Sequence, residues 1–204
     1  MTRTQLVEFS PGSVSVIEGH LGGYYTTVDP PSQCPKMWKH IIDKFNIKSV
    51  IDVGCGMGYA MVEFLKDCDE VVGIDGSPYA LENSPVKDLI FQHDYKIGEL
   101  ETEDRYDLCW CCEFVEHVEE QFIDNFLSTF AFAKYVAMTH AIPGQGGHHH
   151  VNCQPKEYWI ENMARYGFEY DEEITNELKE IAKTEGDYTP HFVATGLFFK
   201  KVSE

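Results

Sequence analysis

The stretch that most constrains this chain is Ser49-Val50-Ile51-Asp52-Val53-Gly54-Cys55-Gly56-Met57-Gly58, a short β-rich apolar run that breaks into three alternating glycines. Glycines at that density let a backbone turn sharply and come close to another group. Tyr59 to Lys66 then reads as helix, and Val71-Val72-Gly73-Ile74 as a second strand that closes on Asp75. A strand, a tight turn, a helix and a second strand make a parallel pair with a crossover. The alternation continues along the chain. Helices are predicted from Pro35 (with Met37, Trp38, Ile41, Ile42 and Phe45 on one face), over Phe122 to Phe130, and over Pro155 to Tyr166. Further strands are predicted at Leu89 to Phe91, Leu108 to Cys112, Tyr135 to Thr139, Phe168 to Ile174 and Phe192 to Lys200. Such an order favours a parallel sheet covered by helices on both faces. Ligands of such sheets bind at the C-terminal strand ends, where the strand order reverses.

Composition narrows what that sheet can serve. The chain has 204 residues, 43% of them hydrophobic, which suits one domain with a sizeable core. Its formal charge of −18 repels phosphate backbones and anionic membrane surfaces, and its basic residues are scattered, the densest pair being Lys200-Lys201. The reading is therefore no nucleic-acid partner and no membrane. Met1 to Gly19 lacks the continuous apolar core of a secretory signal. Seven cysteines, an odd number with several in strand-like runs, fit a reducing compartment better than a disulfide framework. A cytoplasmic location is the expectation. Cys109 and Cys111 should share one face of a strand and Cys112 the other, so a thiolate metal site is the weaker reading of that triplet.

The glycine turn discriminates among nucleotide sites. A dinucleotide fingerprint requires a sixth-position glycine counted from Gly54, where this chain has Tyr59, and no Gly-Lys-Ser/Thr follows to make a phosphate loop. What fits is acid-x-Gly-x-Gly-x-Gly from Asp52, with a second acid, Asp75, able to accept both hydroxyls of a ribose. Asp94, after the third strand, stands where an adenine edge would be read. Over about residues 35–200 this series resembles the class I S-adenosylmethionine-dependent methyltransferases. The resemblance implies an α/β fold with a Rossmann-like, doubly wound seven-stranded sheet whose last strand is antiparallel. It implies a core at 35–204 preceded by an N-terminal extension or lid at 1–34, in which Glu18-Gly19-His20-Leu21-Gly22-Gly23-Tyr24-Tyr25 would cover the cofactor. By the same likeness Asp52, Gly54, Gly56, Gly58 and Cys112 face the cofactor, Asp75 holds its ribose and Asp94 its adenine amine.

After the fourth strand the chain reads Cys112-Glu113-Phe114-Val115-Glu116-His117. Residues three and four apart share a face if this segment turns helically. Two carboxylates and an imidazole suit a hard or borderline divalent ion. Glu-x-x-Glu-His here is also similar to a metal-dependent subset that includes small-RNA 2′-O-methyltransferases and ubiquinone-pathway O-methyltransferases. In the RNA enzymes a further histidine follows the fifth strand. Here His148-His149-His150 precedes the helix at Pro155, and His150 matches best by spacing, with His149 close behind. The metal set implied is Glu113, Glu116, His117 and His150, for Mg²⁺, Mn²⁺ or Zn²⁺. Class I enzymes without metal carry Glu-His at this place too, with the histidine as base or substrate orienter. The catalytic candidates are then His117, Glu113 and His149. The Gly19 to Tyr25 and Thr139 to Gln145 stretches also resemble an uncharacterised bacterial and phage-type branch of the fold. The expected activity is methyl transfer to a small-molecule acceptor, a hydroxyl of a sugar or metabolite. The alternatives are a cofactor-binding protein without catalysis, an RNA 2′-O-methyltransferase, and a nicotinamide-dependent oxidoreductase.

Overall fold

The computed structural model describes residues 5–10, 13–17, 19–21, 24–26 and 29–202, with side chains at 20, 21 and 29–202. Of the expected cofactor cover, Glu18, Gly22, Gly23 and the side chains of Tyr24 and Tyr25 lie outside the described residues. Strands β1 (Gln5–Ser10), β2 (Ser13–Ile17) and β3 (Tyr24–Thr26) form a small antiparallel sheet. The central sheet is built from β4 (Ser49–Val53), β5 (Glu70–Asp75), β6 (Ile90–Gln92), β7 (Tyr106–Cys111), β8 (Ala133–Met138), β9 (Phe168–Tyr170) and β10 (Leu197–Lys201). Its order is β6-β5-β4-β7-β8-β10-β9, and β10 runs antiparallel to both of its neighbours. The expected seven-stranded, doubly wound sheet with an antiparallel last strand is what forms. No described helix is long and apolar enough to cross a membrane.

Both faces of the sheet are buried, as parallel strands require. Along β7, Leu108 and Trp110 point into the layer that also holds Met37, Trp38, Ile41 and Ile42 of α1 (Pro35–Phe45). Cys109 and Cys111 point into the opposite layer, with Phe126, Leu127 and Phe130 of α4 (Ile123–Phe130) and Trp159 and Met163 of α5 (Lys156–Arg165). The alternation expected for Cys109, Cys111 and Cys112 holds, and Cys109 and Cys111 are packing groups. Two short helices, α2 (Tyr59–Phe64) and α3 (Pro78–Asn83), follow β4 and β5.

Two elements differ from the sequence expectation. The run Phe168 to Ile174 is not one strand: β9 stops at Tyr170 and α6 spans Glu172–Ala182. Asp171 is the reason, since its carboxylate accepts the Ile174 N–H at 3.0 Å and Glu172 and Glu173 fill the first turn. Similarly, Phe192 to Lys200 divides into α7 (His191–Thr195) and β10, separated at Gly196. A Cβ on Gly196 would come within 2.4 Å of Phe192, so glycine alone permits this tight join.

Helix α6 is tied to the sheet by one buried bond, the Phe198 N–H donating to the Thr175 hydroxyl at 3.0 Å. Thr175→Val keeps the shape and orphans that N–H, a loss of about 1–3 kcal/mol. Thermal unfolding should report a melting temperature lower by several degrees, and an unchanged one would mean that water reaches the strand there.

Candidate active site

A cavity of about 570 Å³ opens at the C-terminal ends of β4, β5 and β7, where the strand order reverses. The turn after β4 makes its floor. Gly54 (φ +74°) passes so close to the next strand's loop that a Cβ would sit 2.4 Å from Phe114. Gly56 (φ +51°) has open space where a side chain would be, so bare backbone faces the cavity. Gly58 is not among the lining residues; it caps α2 in the left-handed conformation.

The acids are held in place by backbone donors. Asp75 accepts the Gly56 N–H on Oδ2 and the Ser77 N–H on Oδ1, each at 2.8 Å. Burial raises its pKa while these two bonds pull it down, and the net is upward. Asp52 is nearly fully buried beside it, and its carboxyl is pushed well above the usual range by burial first and by Asp75 second. Both line the cavity, as does Cys112. Asp94 also lines it, but its carboxylate is already engaged: Oδ2 lies 2.6 Å from Nε2 of His20, and Oδ1 accepts the Lys96 N–H at 2.9 Å.

Beyond β7 the chain makes an unusual bend. Glu113, a non-glycine residue, sits at φ +51°, a conformation that costs about 1–3 kcal/mol and persists only when its surroundings enforce it. Thr139 enforces it, accepting the Glu113 N–H at 2.8 Å and donating its hydroxyl to Glu113 Oε1 at 2.9 Å. The other oxygen, Oε2, faces Nδ1 of His191 at 3.7 Å. Glu113 is thereby turned away from the metal set in which it was expected.

The remaining three members of that set do meet. Ligand atoms of Glu116, His117 and His150 lie within 4.8 Å of one another. The Glu116 carbonyl accepts N–H groups of Val151 at 2.9 Å and Asn152 at 3.1 Å, stapling the loop after β8 onto the turn after β7. His150 lies edge-on to His117 with ring centroids 5.1 Å apart. Both carboxylate oxygens of Glu116 and Nδ1 of each histidine are buried without a hydrogen-bond partner. Orphaned buried acceptors at this spacing fit a divalent ion, whose bonds to oxygen and nitrogen run about 2.0–2.4 Å. Burial, then Glu113, pushes the Glu116 carboxyl up to about 8. Burial, then His150 and His149, brings His117 down to about 4. His149 itself is not among the lining residues, whereas His148 and His150 on either side of it are.

Comparison with known proteins bears on this geometry. Residues 50–132 match the family described as a methyltransferase domain. That segment is 83 of the chain's 204 residues, a methyltransferase-type match over less than half of its length. The chain is 43% identical over 47 residues to an uncharacterised methyltransferase of Schizosaccharomyces pombe, a match spanning 22% of this chain and only 18% of that relative's length. Among solved structures, the methyltransferase domain of bacterial CtHen1-C aligns at a TM-score of 0.61 and 21% identity, covering 86% of this chain and all of that one. S-adenosylmethionine-bound CalS10 of Micromonospora echinaspora, an amino pentose methyltransferase, aligns at a TM-score of 0.63 and 12% identity, covering 86% and 93%. At those identities the structures show the shared fold.

Thr139, Asp29 and His191 are site residues that the motifs did not single out, and all three lie outside residues 50–132. Nothing local marks them: Thr139 ends a predicted strand, and Asp29 and His191 come from opposite ends of the chain.

Glu116 and His117 make stability depend on pH in metal-free buffer. Glu116 binds a proton more tightly folded than unfolded, so stability falls as pH rises from about 4.5 to about 8. His117 binds its proton less tightly when folded, so stability is lost as pH falls from about 6.5 to about 4. Between pH 6.5 and 8 only Glu116 titrates of the two. With chelator present, the melting temperature should fall across that window, and Glu116→Gln should flatten the fall. An identical slope in the variant would show that other groups carry it.

Proposed function

We propose that this chain transfers a methyl group from S-adenosylmethionine to a hydroxyl of a small molecule, such as a sugar or another metabolite, with a divalent ion held by Glu116, His117 and His150. The observation that carries the reading is that an acid of the ribose-binding type under a bare glycine turn shares one cavity with His117 and His150, behind which the buried, unpartnered Glu116 carboxylate lies. S-adenosylmethionine supplies an electrophilic methyl on a positively charged sulfur. In-line displacement at that carbon is mostly a matter of positioning. Asp75, fixed by two backbone donors, is poised to accept the ribose hydroxyls, and Gly56, with open space where a side chain would be, leaves room for the amino-acid arm. The carboxylate of Glu113 favours positive charge at the sulfur. A divalent ion supplies Lewis acidity toward an acceptor hydroxyl. Where no ion is held, His117, kept neutral at ordinary pH, is equipped to take the hydroxyl proton.

The cavity's charge guides the choice of acceptor. Asp29, Asp52, Asp75, Asp94 and Glu113 line it, against one lysine, Lys96, which is paired to Glu119 at 2.8 Å. Phosphate-bearing acceptors, RNA among them, are repelled by this lining and by the charge of −18. The second reading is an amino-sugar acceptor, favoured by the same acids and by the likeness to a protein that acts on an amino pentose.

Calorimetry should give micromolar binding of S-adenosylmethionine and S-adenosylhomocysteine, roughly −8 kcal/mol, and none of NADH. Asp75→Ala removes an acceptor worth about 1.5–3 kcal/mol, so affinity should drop about tenfold or more with the fold intact. Mn²⁺ binding followed by electron paramagnetic resonance should be lost in Glu116→Gln. Tighter binding of NADH would reject the cofactor, and activity that survives chelator would remove the ion and leave His117 as base.

A further inference from the structure

The purine end of the cavity is filled by the chain itself. Asp75 closes β5, Asp94 follows β6, and these strands are neighbours, about 4.8 Å apart across the sheet. A purine whose ribose rests on Asp75 and whose amine reaches Asp94 must lie with one face over Gly76. Two side chains of the turn Gly19–Leu21 stand in that place.

His20 Nε2 lies 2.6 Å from Asp94 Oδ2. A carboxylate only accepts, so the imidazole nitrogen carries the proton and donates it. Oδ1 accepts the Lys96 N–H at 2.9 Å, which leaves neither oxygen without a donor. A Cβ on Gly76 would come within 2.5 Å of Leu21 Cδ2, 3.3 Å of the His93 carbonyl and 3.7 Å of Asp94 Cα. Leu21 therefore rests on the bare backbone of Gly76, between the two strand ends. Both side chains line the cavity. An N–H donated to Asp94 and an apolar group laid on Gly76 are the contacts that an adenine offers with its amine and its ring face.

The two partners in this contact are held with unequal strength. The platform is tied into the sheet, with the His93 N–H donating to the Asp75 carbonyl at 3.0 Å and Gln92 Nε2 to the Gly76 carbonyl at 3.2 Å. Among the described residues one hydrogen bond joins the turn to that platform, and its side chains are 31% (His20) and 26% (Asp94) exposed. Pairs that water reaches to this degree are weak. The turn is thus the part that can leave.

We infer that His20 and Leu21 are an internal occupant of the adenine site, and that the cofactor binds only when this turn withdraws. The inference rests on the reading of the cavity as an S-adenosylmethionine site. Filled and vacated forms are two states of one molecule, and the measured affinity is the intrinsic one reduced by the fraction vacated. A turn that closed over a bound cofactor would add to affinity instead, so the two arrangements predict effects of opposite sign.

The test is calorimetry of S-adenosylhomocysteine and of adenosine on the full chain. His20→Ala removes the donor, and Leu21→Ala shortens the group on Gly76. Each should tighten S-adenosylhomocysteine by about threefold or more, and the double variant by more than either. Adenosine, which lacks the amino-acid arm, should gain by about the same factor, because the gain arises at the purine end. His20→Gln keeps an N–H donor and should stay closer to the wild type than His20→Ala does. Unchanged or weaker binding in either single variant, folded as judged by circular dichroism, would overturn this inference while leaving the cofactor reading standing. Failure of the wild type and of every variant to bind either ligand would overturn both.

Discussion

The pairing of β4 on both sides by parallel strands is the constraint on which the rest depends. Val50 to Asp52 is in register with β7 on one edge, and Ser49 to Val53 with β5 on the other. Parallel pairing brings every following loop to the same rim of the sheet. The glycine turn, Asp75 and the bend at Glu113 are thus neighbours in space although the chain visits them 19 residues and more apart. The bond from the Gly56 N–H to Asp75 closes this arrangement: the turn that would cradle a ligand also aims the acid that would hold it.

A second layer of organisation comes from loops that stabilise one another through backbone. The Glu116 carbonyl holds Val151 and Asn152, and that contact, rather than any bond between side chains, brings His150 to His117. The side chains themselves are left dissatisfied. A fully buried carboxylate with no donor is costly unless it is neutralised by a proton or a cation. The upward displacement of Glu116 and the downward displacement of His117 express the same burial acting on groups of opposite charge type. A cation between them would relieve both at once, since it favours the ionised carboxylate and the neutral imidazole that each ligand must present.

Much of this was legible in the residues. The β4 run, the glycine turn and Asp75 were readable because their signals are local: β-branched apolar residues, left-handed turn positions, and an acid at a strand's end. Glu116 and His117 were readable through adjacency, and His150 through its spacing to the helix at Pro155. What was not legible depends on three-dimensional closure. Glu113 sits one residue from Cys112 and three from Glu116, yet a positive φ imposed by Thr139 sends it elsewhere. The division of Phe168 to Ile174 turned on Asp171 acting as a cap, a competition between strand propensity and a hydrogen bond that composition alone does not resolve. His191 and Asp29 stand 162 residues apart, since 191 − 29 = 162, and meet only after the last strand has been inserted between β8 and β9.

That insertion explains why an antiparallel strand matters to the site. β10 enters the sheet against the direction of its neighbours, so its start, not its end, lies at the rim where the other strands finish. The helix just before it, α7, is delivered there, with Phe192 sealing the core and His191 turned to the cavity. The side of the cavity beyond Glu113 is therefore made from α7 and from Asp29, ahead of α1. Both lie outside residues 50–132, the part matched by the methyltransferase-domain family. The strand ends within that segment supply Asp75, Asp94, Glu113 and part of the Glu-His-His cluster, and the flanking elements supply Asp29 and His191. Recognition at the two ends of the cavity can accordingly change independently, because a substitution at His191 or Asp29 leaves the β4–β5–β7 frame and its backbone bonds untouched.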